Sequence, residues 1–137
     1  MKYKLIDHTA DFGIEVYGAN YETLFINAAE AMFELILESV PAAGSESVRI
    51  EVAGMDRTDL LINWLRELLY LFNGEGRIAV SIEISSLTEN KVSADVCFDT
   101  YSAEVHVIRN EIKAVPYHQA DIRKIKEGLA AKIIFDV

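Results

Sequence analysis

The chain has 137 residues, of which 51% are hydrophobic. This length fits a single domain over residues 1–137 with a proper core, which excludes a disordered chain. The 22 acidic residues outnumber the 13 basic ones and give a net charge of −9, so strong direct binding to nucleic acid is not expected. No apolar run reaches the roughly 20 residues that span a bilayer, and no signal peptide is recognisable, so we expect a cytoplasmic protein without a membrane partner.

The N-terminal part of the chain is predicted to hold three strands and the first helix. YKLI reads as a short strand, DHTAD as a turn, and FGIEVYG as a strand with the period of two typical of a half-buried sheet. From Tyr21 to Glu38 apolar residues recur three and four apart, which predicts an amphipathic helix capped by Asn20. Pro41 and Gly44 end this helix before the alternating strand SVRIEVAG.

The rest of the chain is predicted to hold the second helix and the remaining strands. DRTDLLINWLRELLYLF starts at the N-cap Asp56, with Asp59 in an approximate capping box, and ends near Asn73-Gly74. RIAVSIEISSL and NKVSADVCFD form a hairpin, and EIKAVPYHQADIRKI and LAAKIIFDV follow, separated by a turn that ends at Gly128. Two helices packed on mostly antiparallel sheet make an α+β domain.

The DHTAD turn and the end of the chain contain candidate metal ligands. Asp7, His8 and Asp11 carry lone pairs within five residues, and carboxylates in a turn can hold a hard cation such as Ca²⁺ or Mg²⁺. Alternatively, the aspartates accept hydrogen bonds from nearby backbone amides. If the terminal strand lies next to the first strand, Asp136 and the terminal carboxylate of Val137 would reach Asp11 and form an all-oxygen site.

The EIKAV segment contains a second candidate pair. Glu111 and Lys113 are two residues apart, so we expect them on the same side of a strand, with Ile112 and Val115 on different faces. An exposed ion pair and a contact for a partner's active site both fit this spacing. The sequence has no zinc-ligand spacing, nucleotide-binding glycine loop or nucleophile elbow, and Cys97 reads as a buried thiol without a role. A self-sufficient active site is therefore not expected.

Four segments taken together, DHTADFGIEVYG, DRTDLLINWLRELLYLF, EIKAV and the terminal IIFDV, resemble the archease family. The helix AAEAMFELI is also similar to the first helix of that family. The resemblance implies an archease fold and a role as accessory protein to an RtcB-type RNA ligase in tRNA splicing or RNA repair. Such a ligase joins RNA ends through a guanylylated histidine, using GTP and Mn²⁺. Archease promotes the guanylylation and multiple turnover, and does not itself catalyse the joining.

The resemblance also implies functional residues. The divalent-metal site of the family, for Ca²⁺, Mg²⁺ or Mn²⁺, corresponds here to Asp11, Asp136 and Val137. The residues that we assign to partner contact or activation are Glu111, Lys113, Asp7 and His8.

Two departures from the family pattern accompany the resemblance. Many relatives carry Asp-Pro-x-Lys-His where this chain reads Ser102 to His106, and threonine where it has Pro116, so a lysine associated with ligase assistance is missing. Two other functions remain as alternatives. One is a general chaperone or interaction module without ligase specificity, and the other is a metal-dependent phosphoesterase or nuclease.

Overall fold

The computed structural model describes residues 1–6 and 11–137, so the predicted turn residues Asp7 and His8 lie outside the described residues. The elements within these ranges follow in chain order: β1 (Tyr3–Ile6), β2 (Phe12–Gly18), α1 (Tyr21–Ile36), β3 (Glu46–Ala53), α2 (Arg57–Glu75), β4 (Arg77–Leu87), β5 (Lys91–Thr100), β6 (Asp121–Ile125) and β7 (Gly128–Phe135). None of the helices in these ranges combines the length and apolarity that crossing a membrane requires.

The strands form two antiparallel sheets, which confirms the predicted α+β class. The four-stranded sheet has the order β1-β2-β7-β6, and the three-stranded sheet has the order β3-β5-β4. The terminal strand β7 lies between β6 and β2, so the prediction that it lies next to the first strand is wrong. Because β1 and β2 are close in sequence and pair with each other, β1 occupies one edge of β2 and leaves the other edge to β7.

Both helices begin where the sequence predicts. The side chain of Asn20 accepts the N–H of Thr23 at 2.8 Å, and the side chain of Asp56 accepts the N–H of Asp59 at 2.8 Å. The predicted capping box is wrong in detail, because the Asp59 carboxylate accepts the N–H of Met55 rather than that of Asp56. Each cap satisfies a donor that the first helical turn leaves without an intrahelical partner.

The helix ends differ from the prediction by one or two residues. The first helix stops at Ile36 rather than Glu38, since Leu37 already has an extended backbone. The second helix runs to Glu75 because Gly76, and not Gly74, adopts the left-handed cap conformation with φ +68°. A positive φ of this kind favours glycine, which has no Cβ to clash with the backbone.

One cluster of buried side chains includes residues from both helices and both sheets. The predicted apolar faces of the two helices belong to it: Leu24, Phe25, Ala28, Ala29, Met32, Leu35 and Ile36 from α1, and Leu60, Leu61, Trp64, Leu65, Leu68, Leu69 and Phe72 from α2. The Trp64 indole N–H donates to the Phe25 carbonyl at 3.1 Å, so the largest buried side chain joins the two helices. Cys97 is half-buried rather than buried, because its neighbours on β5, Val96 and Phe98, take the core-facing positions.

Candidate functional site

The start of β2 and the end of β7 meet at one end of the four-stranded sheet, a place that we call the chain-end corner. Their last register pair is Phe12 with Phe135. Asp11 directly precedes this pair on one strand and Asp136 directly follows it on the other, so the two aspartates are neighbours across the end of the ladder. Asp11 is half-buried, and Asp136 and Val137 are exposed. The register therefore brings together the two aspartates that the sequence predicts as ligands, through β2 rather than β1.

The segment of residues 111–115 lies along the other side of the chain end. The N–H of Lys113 donates to the Asp136 carbonyl at 2.7 Å, and the N–H of Asp136 donates to the Ala114 carbonyl at 2.9 Å. The segment forms only this isolated bridge, so the prediction that EIKAV is a strand is wrong. Since β6 pairs with β7 only as far as Lys132, the edge of β7 beyond that residue is open to this segment.

Two side chains of α2 hold this segment in place. Arg66 Nε donates to the Val115 carbonyl at 2.8 Å, and Asn73 Nδ2 donates to the Ile112 carbonyl at 3.1 Å. The side chains of Ile112 and Val115, predicted on different faces, are both buried. The helix satisfies these carbonyls, so the segment does not need a full strand ladder. The sequence reasoning missed Arg66 and Asn73, although their seven-residue spacing on one predicted helix was an available signal.

Glu111 and Lys113 are exposed and line two grooves that both border Asn73, and their place on one side of the segment stays a prediction. That prediction assumed a strand, in which residues two apart share a face, and the segment forms only an isolated bridge. No ion pair joins their side chains in the described structure. The Lys113 groove has a volume of about 360 Å³ and is also lined by Arg66, Leu69, Tyr70 and Pro116. The Glu111 groove has a volume of about 350 Å³ and is also lined by Phe72, Tyr101 and Ile108.

Residues 102–106, which the sequence resemblance marks as a departure from the family pattern, form a compact turn beside the Glu111 groove. The Ser102 carbonyl accepts the N–H of His106 at 2.8 Å, and His106 Nδ1 accepts the N–H of Ser102 at 2.9 Å. The His106 ring stacks on Tyr101, which lines the groove, with a centroid distance of 5.7 Å. Val105 in this turn is 75% exposed, so the turn presents an apolar side chain at the surface.

The oxygen atoms at the corner suit a hard divalent cation in type. Asp11 and Asp136 contribute carboxylates, and the predicted carboxylate of Val137 follows directly; Ca²⁺ and Mg²⁺ prefer such ligands. Within residues 1–6 and 11–137, no group of three or more His, Cys, Asp or Glu side chains is placed to hold a metal ion. The predicted contributions of Asp7 and His8 fall outside these ranges, so the complete ligand set stays a prediction.

An ion pair bridges the four-stranded sheet farther along β7. Glu15 on β2 and Arg123 on β6 lie on either side of β7, and Arg123 Nη2 donates to Glu15 Oε2 at 2.8 Å. The Tyr17 hydroxyl also donates to Glu15 at 2.8 Å. These two hydrogen bonds, with that from Arg123 the larger effect, hold the pKa of Glu15 below its ordinary value, and the same pair raises the pKa of Arg123.

Comparison with known proteins gives a family match over almost the whole chain. Residues 3–137 match the model of the Archease protein family (MTH1598/TM1083). The chain belongs to the archease family. The resemblance inferred from four sequence segments is therefore confirmed. The protein archease of Archaeoglobus fulgidus is 36% identical over 139 residues, which covers 100% of both chains. The protein archease of Methanosarcina mazei is 32% identical over 140 residues, which covers 99% of this chain and 96% of that protein.

Solved structures show the same fold. The solution structure of Methanobacterium thermoautotrophicum protein 1598 is similar with a TM-score of 0.80 and 29% identity, covering 99% of both chains. The crystal structure of an archease from Thermotoga maritima, described as a possible chaperone, has a TM-score of 0.65 and 23% identity. It covers 98% of this chain and 96% of that one. The archease fold implied by the sequence is therefore confirmed.

Proposed function

We propose that this protein activates an RtcB-type RNA ligase in the cytoplasm, during tRNA splicing or RNA repair. In this role it promotes guanylylation of the ligase histidine and multiple turnover, and GTP is consumed by the ligase. The protein is a cofactor of the ligase and not the catalyst of RNA joining. Family membership supports this role. The observation that carries it is the register that sets Asp11 beside Asp136, next to the segment that contains Glu111 and Lys113.

In this proposal, the chain-end corner holds a divalent cation, Ca²⁺, Mg²⁺ or Mn²⁺, through Asp11, Asp136 and Val137. A bound cation would supply positive charge, which phosphoryl transfer needs because charge accumulates on the phosphate oxygens. Because Asp136 is exposed, Asp11 and Asp136 would keep this charge at a surface that a ligase active site can reach. Asp7 and His8 precede Asp11 in the same connection and are proposed to contact the partner there.

The contact with the ligase is proposed to include the exposed rim formed by Glu111 and Lys113. Each of these side chains borders a groove with apolar lining, so the rim combines charge with apolar surface. Interfaces of this kind draw orientation from charged groups and affinity from buried apolar contacts. Strong direct binding to RNA is not part of the proposal, because the chain carries a net charge of −9.

The test is multiple-turnover ligation by an RtcB-type ligase from the same organism, with GTP and Mn²⁺, with and without this protein. Wild type is expected to accelerate turnover, and Asp11→Ala and Asp136→Asn are expected to abolish the acceleration while remaining folded. Asp95→Asn is the matched control, because Asp95 is a half-buried aspartate that pairs with Arg49 on the three-stranded sheet, away from the candidate site. Equal acceleration by wild type and both site variants would reject the metal role, and no acceleration by wild type would reject ligase activation.

Cation binding itself has a separate readout. A ligand that binds the folded state alone stabilises it by about 2.7 kcal/mol when its concentration is 100 times Kd. Ca²⁺ should therefore raise the melting temperature of wild type, and a chelator should reverse the shift. The Asp136→Asn variant should respond much less. A wild-type melting temperature that no divalent cation changes would contradict the proposed site.

A second function, general chaperone or interaction module, is favoured by one specific observation. Two exposed apolar side chains line the grooves: Tyr70 at the Lys113 groove is 63% exposed, and Ile108 at the Glu111 groove is 43% exposed. Exposed apolar groups that lie close together often mark protein contacts. This function predicts that the protein suppresses aggregation of an unrelated unfolded protein without metal or GTP. Cleavage of RNA by the isolated protein would instead support a phosphoesterase or nuclease.

A further inference from the structure

We propose that Arg66 and Asn73 are positioning residues of the chain-end corner. From α2 they hold residues 112–115, and this segment in turn holds the backbone of Asp136 beside Asp11. The inference deepens the proposed function and rests on it where the metal is concerned, because it names what orders the predicted ligands. The order of the chain end can also be measured without any metal.

The end of β7 needs such support because its neighbours stop early. Strand β6 pairs with β7 no farther than Lys132, and the ladder with β2 stops at Phe135. The end of a strand frays where no neighbouring strand or other group holds it. Asp136 is held through its backbone N–H and C=O, which bond to Ala114 and Lys113. The position of its carboxylate therefore depends on where residues 113 and 114 lie.

The segment that holds Asp136 is itself held by the helix. Arg66 bonds the Val115 carbonyl and Asn73 bonds the Ile112 carbonyl, so the segment runs antiparallel to α2. Seven helical residues rise about 10.5 Å, and three extended residues span about 10 Å. The two donors are thus spaced to reach the two carbonyls. Between these carbonyls in the chain lie Lys113 and Ala114, whose backbone groups bond Asp136.

Neither Arg66 nor Asn73 is among the predicted metal ligands, which are carboxylates on other elements. Arg66 Nε and Asn73 Nδ2 instead donate to backbone carbonyls of the segment. Their effect on a cation would pass through the backbone of residues 112–115 to Asp136. Loss of groups that orient the ligands of a metal typically lowers its affinity by about 10- to 100-fold.

The chain offers a matched control on the same helix. Asn63 Nδ2 also donates to a backbone carbonyl at 3.1 Å, but the acceptor is Ala53 on β3, away from the chain end. Asn73→Ala and Asn63→Ala therefore remove the same kind of bond from the same helix. Arg66→Met removes the second donor of the segment while keeping a long side chain. Any general loss of helix packing should affect the Asn73 and Asn63 variants alike.

The first measurement is amide hydrogen exchange of the full chain without metal. In Asn73→Ala and Arg66→Met, the amides of Lys113 and Asp136 should exchange about five to ten times faster than in wild type, because their bonds open more often. In Asn63→Ala these two amides should stay within about twofold of wild type. Unchanged exchange in both segment variants would overturn the positioning role, whatever the metal does.

The second measurement is Ca²⁺ affinity by calorimetry with the same variants. Asn73→Ala and Arg66→Met should bind Ca²⁺ about tenfold more weakly than wild type and Asn63→Ala. Equal affinities in all four proteins would overturn the role of these residues at the metal site. Wild type that binds Ca²⁺ without activating the ligase would reject the proposed function and leave this inference standing. Wild type that binds no cation would overturn the part concerned with metal, and the exchange data would still decide the structural part.

Discussion

The two sheets of this protein are assembled in different ways. The three-stranded sheet centres on the β4–β5 hairpin, whose strands follow each other in the chain and pair over most of their length. In the four-stranded sheet, β7 pairs with its hairpin partner β6 on one side and, on the other, with β2 from the opposite end of the chain. The candidate site lies at this long-range pair. Substitutions that truncate a buried side chain in either sheet should therefore have similar effects on stability and different effects on function.

The largest expected effect compares one buried residue from each sheet. Ile133 on β7 and Val96 on β5 are both fully buried, and Ile133 pairs with Ile14 on β2. Truncation to alanine should lower the free energy of unfolding by about 3 kcal/mol for Ile133→Ala and about 2 kcal/mol for Val96→Ala, because each leaves a cavity. Denaturant unfolding measures both. At a temperature where both variants are folded, only Ile133→Ala should weaken Ca²⁺ binding, and equal Ca²⁺ affinities would contradict the comparison.

A smaller effect separates the turns of the two hairpins. Gly128, in the β6–β7 turn, has φ +136°, and a Cβ there would lie 2.4 Å from the Gly18 carbonyl oxygen. Gly128→Ala should therefore lower the free energy of unfolding by about 2 kcal/mol, after the neighbouring backbone has shifted to make room for the new Cβ. The β4–β5 turn relies instead on Asn90, whose side chain donates to the Met55 carbonyl at 3.0 Å, so Asn90→Ala should cost about 1 kcal/mol. Thermal unfolding measures both variants, and a lower stability of Asn90→Ala than of Gly128→Ala would contradict this comparison.

The smallest effect concerns pH and the ion pair that bridges β7. Since the folded-state pKa of Glu15 lies below its ordinary value of 4.5, the Glu15–Arg123 pair stabilises the fold above about pH 4.5. This contribution is lost as the pH falls through the lowered pKa. Arg123→Ala should therefore cost about 0.5 kcal/mol at neutral pH and less in acid, because the pair is partly exposed.

The control for this pH dependence is Arg49→Ala, which removes an exposed arginine that pairs with Asp95 in the three-stranded sheet. Both variants lose one positive charge, so a shared change reports net charge alone. Urea unfolding between about pH 3 and pH 7 should show that the free energy of unfolding falls less steeply toward acid pH for Arg123→Ala than for Arg49→Ala. The same pH dependence in both variants would show that the bridge across β7 does not contribute.

The segment of residues 111–115 illustrates how a local pattern can mislead. Glu111, Lys113 and their apolar neighbours alternate over too few residues to distinguish a strand from an extended segment held by side chains. The structure shows that Arg66 and Asn73 supply the hydrogen bonds that a neighbouring strand would otherwise give. Buried Ile112 and Val115 then face the core together, which strict alternation does not allow.

The sequence by itself determined the helices with their Asn20 and Asp56 caps, most of the strands, the α+β class and the archease family. These depend on spacing and capping within a few residues, which can be read directly from the chain. Only the tertiary structure decided that β7 lies beside β2, that Asp11 consequently neighbours Asp136, and that α2 supports the chain end. Such contacts join residues from distant parts of the chain, and their register depends on how the whole core packs.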